Sequence, residues 1–136
     1  MARPVTMFTG QWADLSLEDL AKMMAEIGYD GLELACWGDH MDVFKAAEDL
    51  DYCKHQKAIL EKNNLQLFAI SNHLAGQLVC DLNNDSRSDM FAPADCAGDA
   101  EKKRAWAVDA MKATAKAAKN MGVKVVNGFT GSSIWH

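Results

Sequence analysis

The sequence has no basic excess, no long apolar run and no paired cysteines, and each absence argues against a class of function. Lysine and arginine number 14 against 19 Asp and Glu, for a net charge of −5. Nucleic-acid binding rests on Lys and Arg displacing counterions from phosphates, so no nucleic-acid partner is expected. No apolar stretch approaches the ~20 residues of a membrane span, so no membrane partner is expected either. The N-terminus, M-A-R-P-V-T-M-F, has no separate hydrophobic segment ending in small residues. It does not read as a secretion signal, and a cytoplasmic location is expected. The four cysteines, Cys36, Cys53, Cys80 and Cys96, form no C-x-x-C pair. That favours free thiols in a reducing compartment over a disulfide framework or zinc cluster. Gly10-Gln11-Trp12 is not a G-x-G-x-x-G turn, and no lysine follows a glycine-rich run, which argues against a nucleotide-phosphate loop.

What remains is a chain of 136 residues, 49% hydrophobic and 24% charged, enough for one domain with its own core. Its most informative stretch is Asn64–Gln77, N-L-Q-L-F-A-I-S-N-H-L-A-G-Q. The apolar part suits a strand covered on both faces. Within two residues it turns into Ser71-Asn72-His73, side chains suited to a site.

The same plan repeats. Pro4–Thr9 reads as strand one. Ser16 is an N-cap with Asp19 at the capping-box position. Leu17, Leu20, Ala21, Met24 and Ile27 then mark one helix face up to Gly28. Gly31–Cys36 reads as strand two and runs into Trp37-Gly38-Asp39-His40. Met41–Glu48 reads as a short helical turn or loop. Asp49–Lys62 is a second helix with Leu50, Cys53, Ile59 and Leu60 near one face, stopped by Asn63-Asn64. After strand three, Leu74–Gly98 reads as a long connection, of the kind that is functional or mobile. Glu101–Met121 is a third helix with an inner stripe of Val108, Met111, Ala115, Ala118 and Gly122. Val123–Asn127 is strand four, followed by Gly128–Ser133 and the closing Trp135-His136. Alternating strands and helices imply parallel pairing with right-handed crossovers. The longer strand-to-helix loops carry the aromatic, His and Gly residues, which places a site at the strands' C-terminal ends.

Several residues stand out. Glu33 is the only carboxylate within an apolar strand, and an ionised carboxylate there needs a partner. A structural hydrogen-bond bracket and a substrate contact both satisfy that need. His73 ends strand three, where it could ligate metal, move a proton or bond a hydroxyl. Trp12 and Trp37 follow strands one and two, and their faces suit either a sugar or ordinary packing. The Gly128–Ser133 loop reads as a close-approach loop more than a phosphate cradle. His136, the terminal residue, is assigned no role.

Three motifs in order, G-Y-D-G-L-E-L, S-N-H-L-A-G-Q and M-G-V-K-V-V-N-G-F-T-G-S-S-I-W, make the chain resemble the N-terminal half of the sugar phosphate isomerase/epimerase family. These are the xylose isomerase-like (β/α)8 barrels. The resemblance implies an α/β fold, the N-terminal half of a TIM barrel, with four parallel strands and three main helices, cut after strand four. It implies order 1-2-3-4 with the helices on one face. Met7, Ala35, Phe68 or Ile70, and Val125 or Val126 should then line the barrel. It also implies metal-dependent proton transfer between adjacent carbons of a keto or aldo sugar. The substrate would be a sugar or sugar phosphate, contacted by Trp12, Glu33, Trp37, His73 and Asn127. The catalytic residues would stand on strands beyond His136. The divalent metal (Mn, Mg, Co or Zn) would sit on ligands of those later strands, so the 136-residue chain alone is expected to be inactive. Open edges at strands one and four suggest pairing with a second copy, a longer molecule, or poor stability. Two alternatives stay open. One is an endonuclease IV-like DNA-repair barrel using zinc, which His73 would suit and the acidic charge would not. The other is a small non-enzymatic α/β sugar-binding domain.

Overall fold

The computed structural model describes residues 3–81 and 85–132. Its first helix, α1 (Leu17–Ile27), begins where Ser16 Oγ accepts from the Asp19 amide at 3.1 Å. It ends at Gly28 in the left-handed conformation, φ 100°, which a side chain would resist. The longest helix, α5 (Ala100–Met121), repeats the device with an Asp99 cap and Gly122 at φ 76°. Asn64, at φ 57°, takes the left-handed role after the helix α3 (Leu50–Lys62). Asp42 and Asp49 cap α2 (Val43–Glu48) and α3 through main-chain amides. The Met41–Glu48 stretch, read from the sequence as a short helical turn or loop, holds a helix over Val43–Glu48.

Four strands, β1 (Thr6–Phe8), β2 (Gly31–Ala35), β3 (Gln66–Ser71) and β4 (Val126–Asn127), pair in parallel in the order 1-2-3-4. Leu17, Leu20 and Met24 of α1, Cys53 and Leu60 of α3, and Ala117 and Met121 of α5 share one core with Leu32, Leu34 and Ile70 of the sheet. The three crossover helices thus lie on one face. Each large apolar side chain buried there contributes roughly 1.5–3 kcal/mol. This is an α/β fold of four parallel strands, a portion of a TIM barrel.

Several expectations need correction. Leu74–Gly98 is not a plain connection. It holds the helix α4 (His73–Cys80) and 3-10 turns at Ser86–Phe91 and Ala94–Cys96. Lys103, fully buried on α5, pins the first of these turns. It pairs with Asp89 and donates to the Asp85 carbonyl at 2.7 Å. The inner stripe of α5 is rotated to Lys103, Ala107, Ala110, Thr114, Ala117 and Met121, and Ala115 is exposed. Alanine recurs so often around this helix that periodicity does not choose a face. Ile27 and Leu50, expected inside, are 63% and 57% exposed, being at a helix end and a helix start. β4 is only two residues long.

The lining of the concave face also differs. Met7 pairs with Leu32, and Ile70 with Leu34 and Val126, all on the helix side. A bulge in β3 between the Leu32 and Glu33 pairings leaves Phe68 as the extra residue. Such a bulge changes which way later side chains aim.

Candidate functional site

Side chains alternate along a strand, so laterally paired residues of a parallel sheet share a face. After the bulge, Phe8, Glu33 and Ala69 form one row on the face away from the helices. Ala35, Ser71 and Asn127 form the next. Glu33 therefore finds partners on two other strands. Ser71 Oγ donates to its Oε1, and Asn127 Nδ2 donates to its Oε2 at 2.7 Å. A carboxylate has about four lone-pair positions, so the bracket fixes its orientation and leaves acceptor capacity for a ligand. Thr9, fully buried in the turn after β1, accepts from the Ala35 amide at 2.9 Å and ties the first strand's end to the second.

Above this belt four rings meet. Phe8 lies 5.8 Å from Trp37 and 5.3 Å from His73, both edge to face. Trp37 and His73 are 6.4 Å apart, and Phe129 is 4.8 Å from His73. Each ring comes from a different strand end, and Trp37, His73 and Phe129 all stand two residues past the last residue of their strand. His73 is half-buried, and neither ring nitrogen has a hydrogen-bond partner among the described residues. Its imidazole can donate and accept at once. The loop after β4 reaches His73 because Gly76 on α4 has no side chain. A Cβ there would collide with the Phe129 carbonyl. The Cys80 amide, donating to the Thr130 carbonyl at 2.9 Å, holds the same loop.

The structure brings Glu33, Trp37, His73 and Asn127 to one end of one face. Trp12 lies apart, packed against the helix-side core. Ser71, read in the sequence with Asn72 and His73 as suited to a site, joins it, and so do Phe8 and Phe129, which the sequence does not single out. For Phe129 the available signal is its offset past the strand, shared with Trp37 and His73. The sequence reading sets the catalytic groups beyond His136. His136 itself, with residues 133–135 of the last motif, lies outside the described residues.

Two other titratable groups, Cys36 and His40, lie in surroundings that disfavour their charged forms. Burial pushes the Cys36 thiol up to about 12, so it is no nucleophile at neutral pH. Burial also lowers the pKa of His40. Its Nε2 lies 3.2 Å from the Leu15 carbonyl, and its Nδ1 has no hydrogen-bond partner among the described residues. Among the described residues no three His, Cys, Asp or Glu side chains converge as metal ligands do. Glu33 and His73 alone do not make up a divalent-metal ligand set, and the resemblance places that metal's ligands on strands beyond His136. No helix of the described residues is long and apolar enough to cross a membrane.

No curated protein matches the sequence. A family model does match, described as a xylose isomerase-like TIM barrel, over residues 21–136. That span takes in every strand but the first, and the chain belongs to this family of xylose isomerase-like barrels.

Proposed function

We propose that the protein is a sugar or sugar-phosphate isomerase/epimerase whose substrate lies against the face carrying Glu33, His73 and Asn127. The observation that carries the reading is the convergence of Phe8, Trp37, His73 and Phe129 from four strand ends onto one half-exposed imidazole. Ring faces suit the C–H surface of a sugar. The free acceptor positions of Glu33 suit its hydroxyls, and His73 can hold or pass a hydroxyl proton. Trp12, packed on the core, is assigned a packing role. Family membership suggests an isomerase, epimerase or related enzyme. A divalent metal of that chemistry polarises adjacent oxygens of the substrate. Its ligands would be residues other than these, and the roles given to Glu33, His73 and Asn127 do not pass through it.

The test is proton exchange in deuterated water. Full-length protein with added divalent metal is offered a panel of ketoses, aldoses and their phosphates. The reading expects loss of a C–H signal next to the carbonyl for at least one of them. No exchange across the whole panel overturns it.

A further inference from the structure

A second cleft, of about 340 Å³, opens on the other side of Trp37. It lies between the loop after β2, the start of α4, the 90–93 segment and α5, and Glu33, His73 and Asn127 do not line it. Its volume is that of a small-molecule site. Trp37, Phe44, Phe91 and Trp106 supply aromatic walls. Phe44 and Met90 at its margin are 43% and 79% exposed, apolar surface left in water beside an apolar hollow.

Asn72 lines the same cleft and is 3% exposed. The Thr114 hydroxyl donates to the Ala110 carbonyl at 2.7 Å, so its oxygen can only accept from Asn72, which donates through Nδ2 at 2.8 Å. That fixes the amide's orientation. Asn72 Oδ1 is left as an acceptor without a partner among the described residues. That oxygen is not fully enclosed, so an incoming donor can reach it. The charge balance is equally specific. No Lys, Arg or His lines the cleft, and its one carboxylate, Asp42, accepts from the Phe44 and Lys45 amides. An anion would enter without a counter-charge.

We propose that this cleft binds an uncharged, flat, mainly apolar molecule with one hydrogen-bond donor, such as a phenolic hydroxyl, which pairs with Asn72 Oδ1 while its ring packs on the tryptophans. The site is separate from the sugar reading and does not rest on it.

The probe is 2-naphthol, compared with 2-methoxynaphthalene, which lacks the donor, and with 2-naphthoate, which is charged. Titration of the purified protein should show saturable single-site binding of 2-naphthol, at least tenfold tighter than either comparator. The indole N–H signals of Trp37 and Trp106 and the Asn72 amide signals should shift together. Ala92→Trp, which fills the cleft from its margin, should weaken binding at least tenfold with an unchanged circular dichroism spectrum. The comparison among probes needs no variant and stands even where Ala92→Trp misfolds. Absence of saturable binding overturns the proposal, as do equal affinities for the three probes or shifts confined to Val125 and Phe129, on either side of β4.

Discussion

Asn127 Nδ2 lies 2.7 Å from Glu33 Oε2, although 94 residues separate them in the chain. The bond reaches from the fourth strand to the second over Ser71 of the third, whose hydroxyl takes the other carboxylate oxygen. One glutamate thus locks three strands at the level where the candidate site begins.

Removing that lock should be measurable. Ser71 is fully buried, so Glu33→Ala strands its hydroxyl, and an unsatisfied buried group costs about 1–3 kcal/mol. We expect urea unfolding of Glu33→Ala to fall by that amount. Glu33→Gln should lose less, since an amide can still meet one donor and the Asn127 amide can turn. Equal stability of all three proteins would show that the bracket is idle.

His73 tests the functional reading. Its nitrogens are unpartnered among the described residues, so His73→Ala removes no internal hydrogen bond and, on the proposed reading, takes away one to the substrate. One such bond amounts to ~1 kcal/mol or slightly more, and we expect KM to rise roughly tenfold or turnover to fall comparably. Metal content of the full-length protein should not change. Loss of metal on substitution would make His73 a ligand and overturn the assignment.

A pH dependence follows from His40, whose pKa burial lowers from 6.5 against the opposing pull of the Leu15 carbonyl and Asp39. The unfolded chain then binds the proton more readily than the folded one. Stability is therefore intact above about pH 6.5 and declines as pH falls below it, by at most ~1.4 kcal/mol per pH unit for one proton. Unfolding midpoints at pH 7.5 and 5.5 should differ in that direction, and His40→Gln should shrink the difference. An unaltered difference in the variant would assign it to other groups.

Gly76 governs how closely the β4 loop approaches. In Gly76→Ala the new methyl meets the Phe129 carbonyl, and overpacking of this kind costs ~1–3 kcal/mol. We expect a lower melting temperature together with altered ring-current shifts on His73. A melt and a His73 spectrum both identical to the parent's would show that the loop yields freely.

The sequence made short-range features legible. Ser16 and Gly28 cap their helix where spacing places them, since a cap needs only its own turn. Strand order was legible from the repeated unit and the barrel resemblance. Glu33 was readable as needing a partner, but Ser71 and Asn127 lie 38 and 94 residues away, and no local pattern points to them. Helix α4 was hidden because the glycine in its middle argues against a helix locally and is explained only by the Phe129 carbonyl. Likewise the buried Lys103 on α5 depends on Asp89 and Asp85, which a helical periodicity does not contain.

The unbroken strand order carries a consequence for how the chain reaches this form. Every neighbouring pair of strands is consecutive in sequence, so each new strand can dock on an edge already in place, from the N-terminus onward. Closing the Glu33–Asn127 span requires a far larger loop, whose ordering entropy is met only once β3 stands between them. We expect refolding of Leu34→Ala to slow more, relative to its stability loss, than that of Asn127→Ala. Equal ratios would describe a sheet that assembles all at once. With the expected difference, the polar belt that prepares the site is the final stitch in a structure laid down strand by strand.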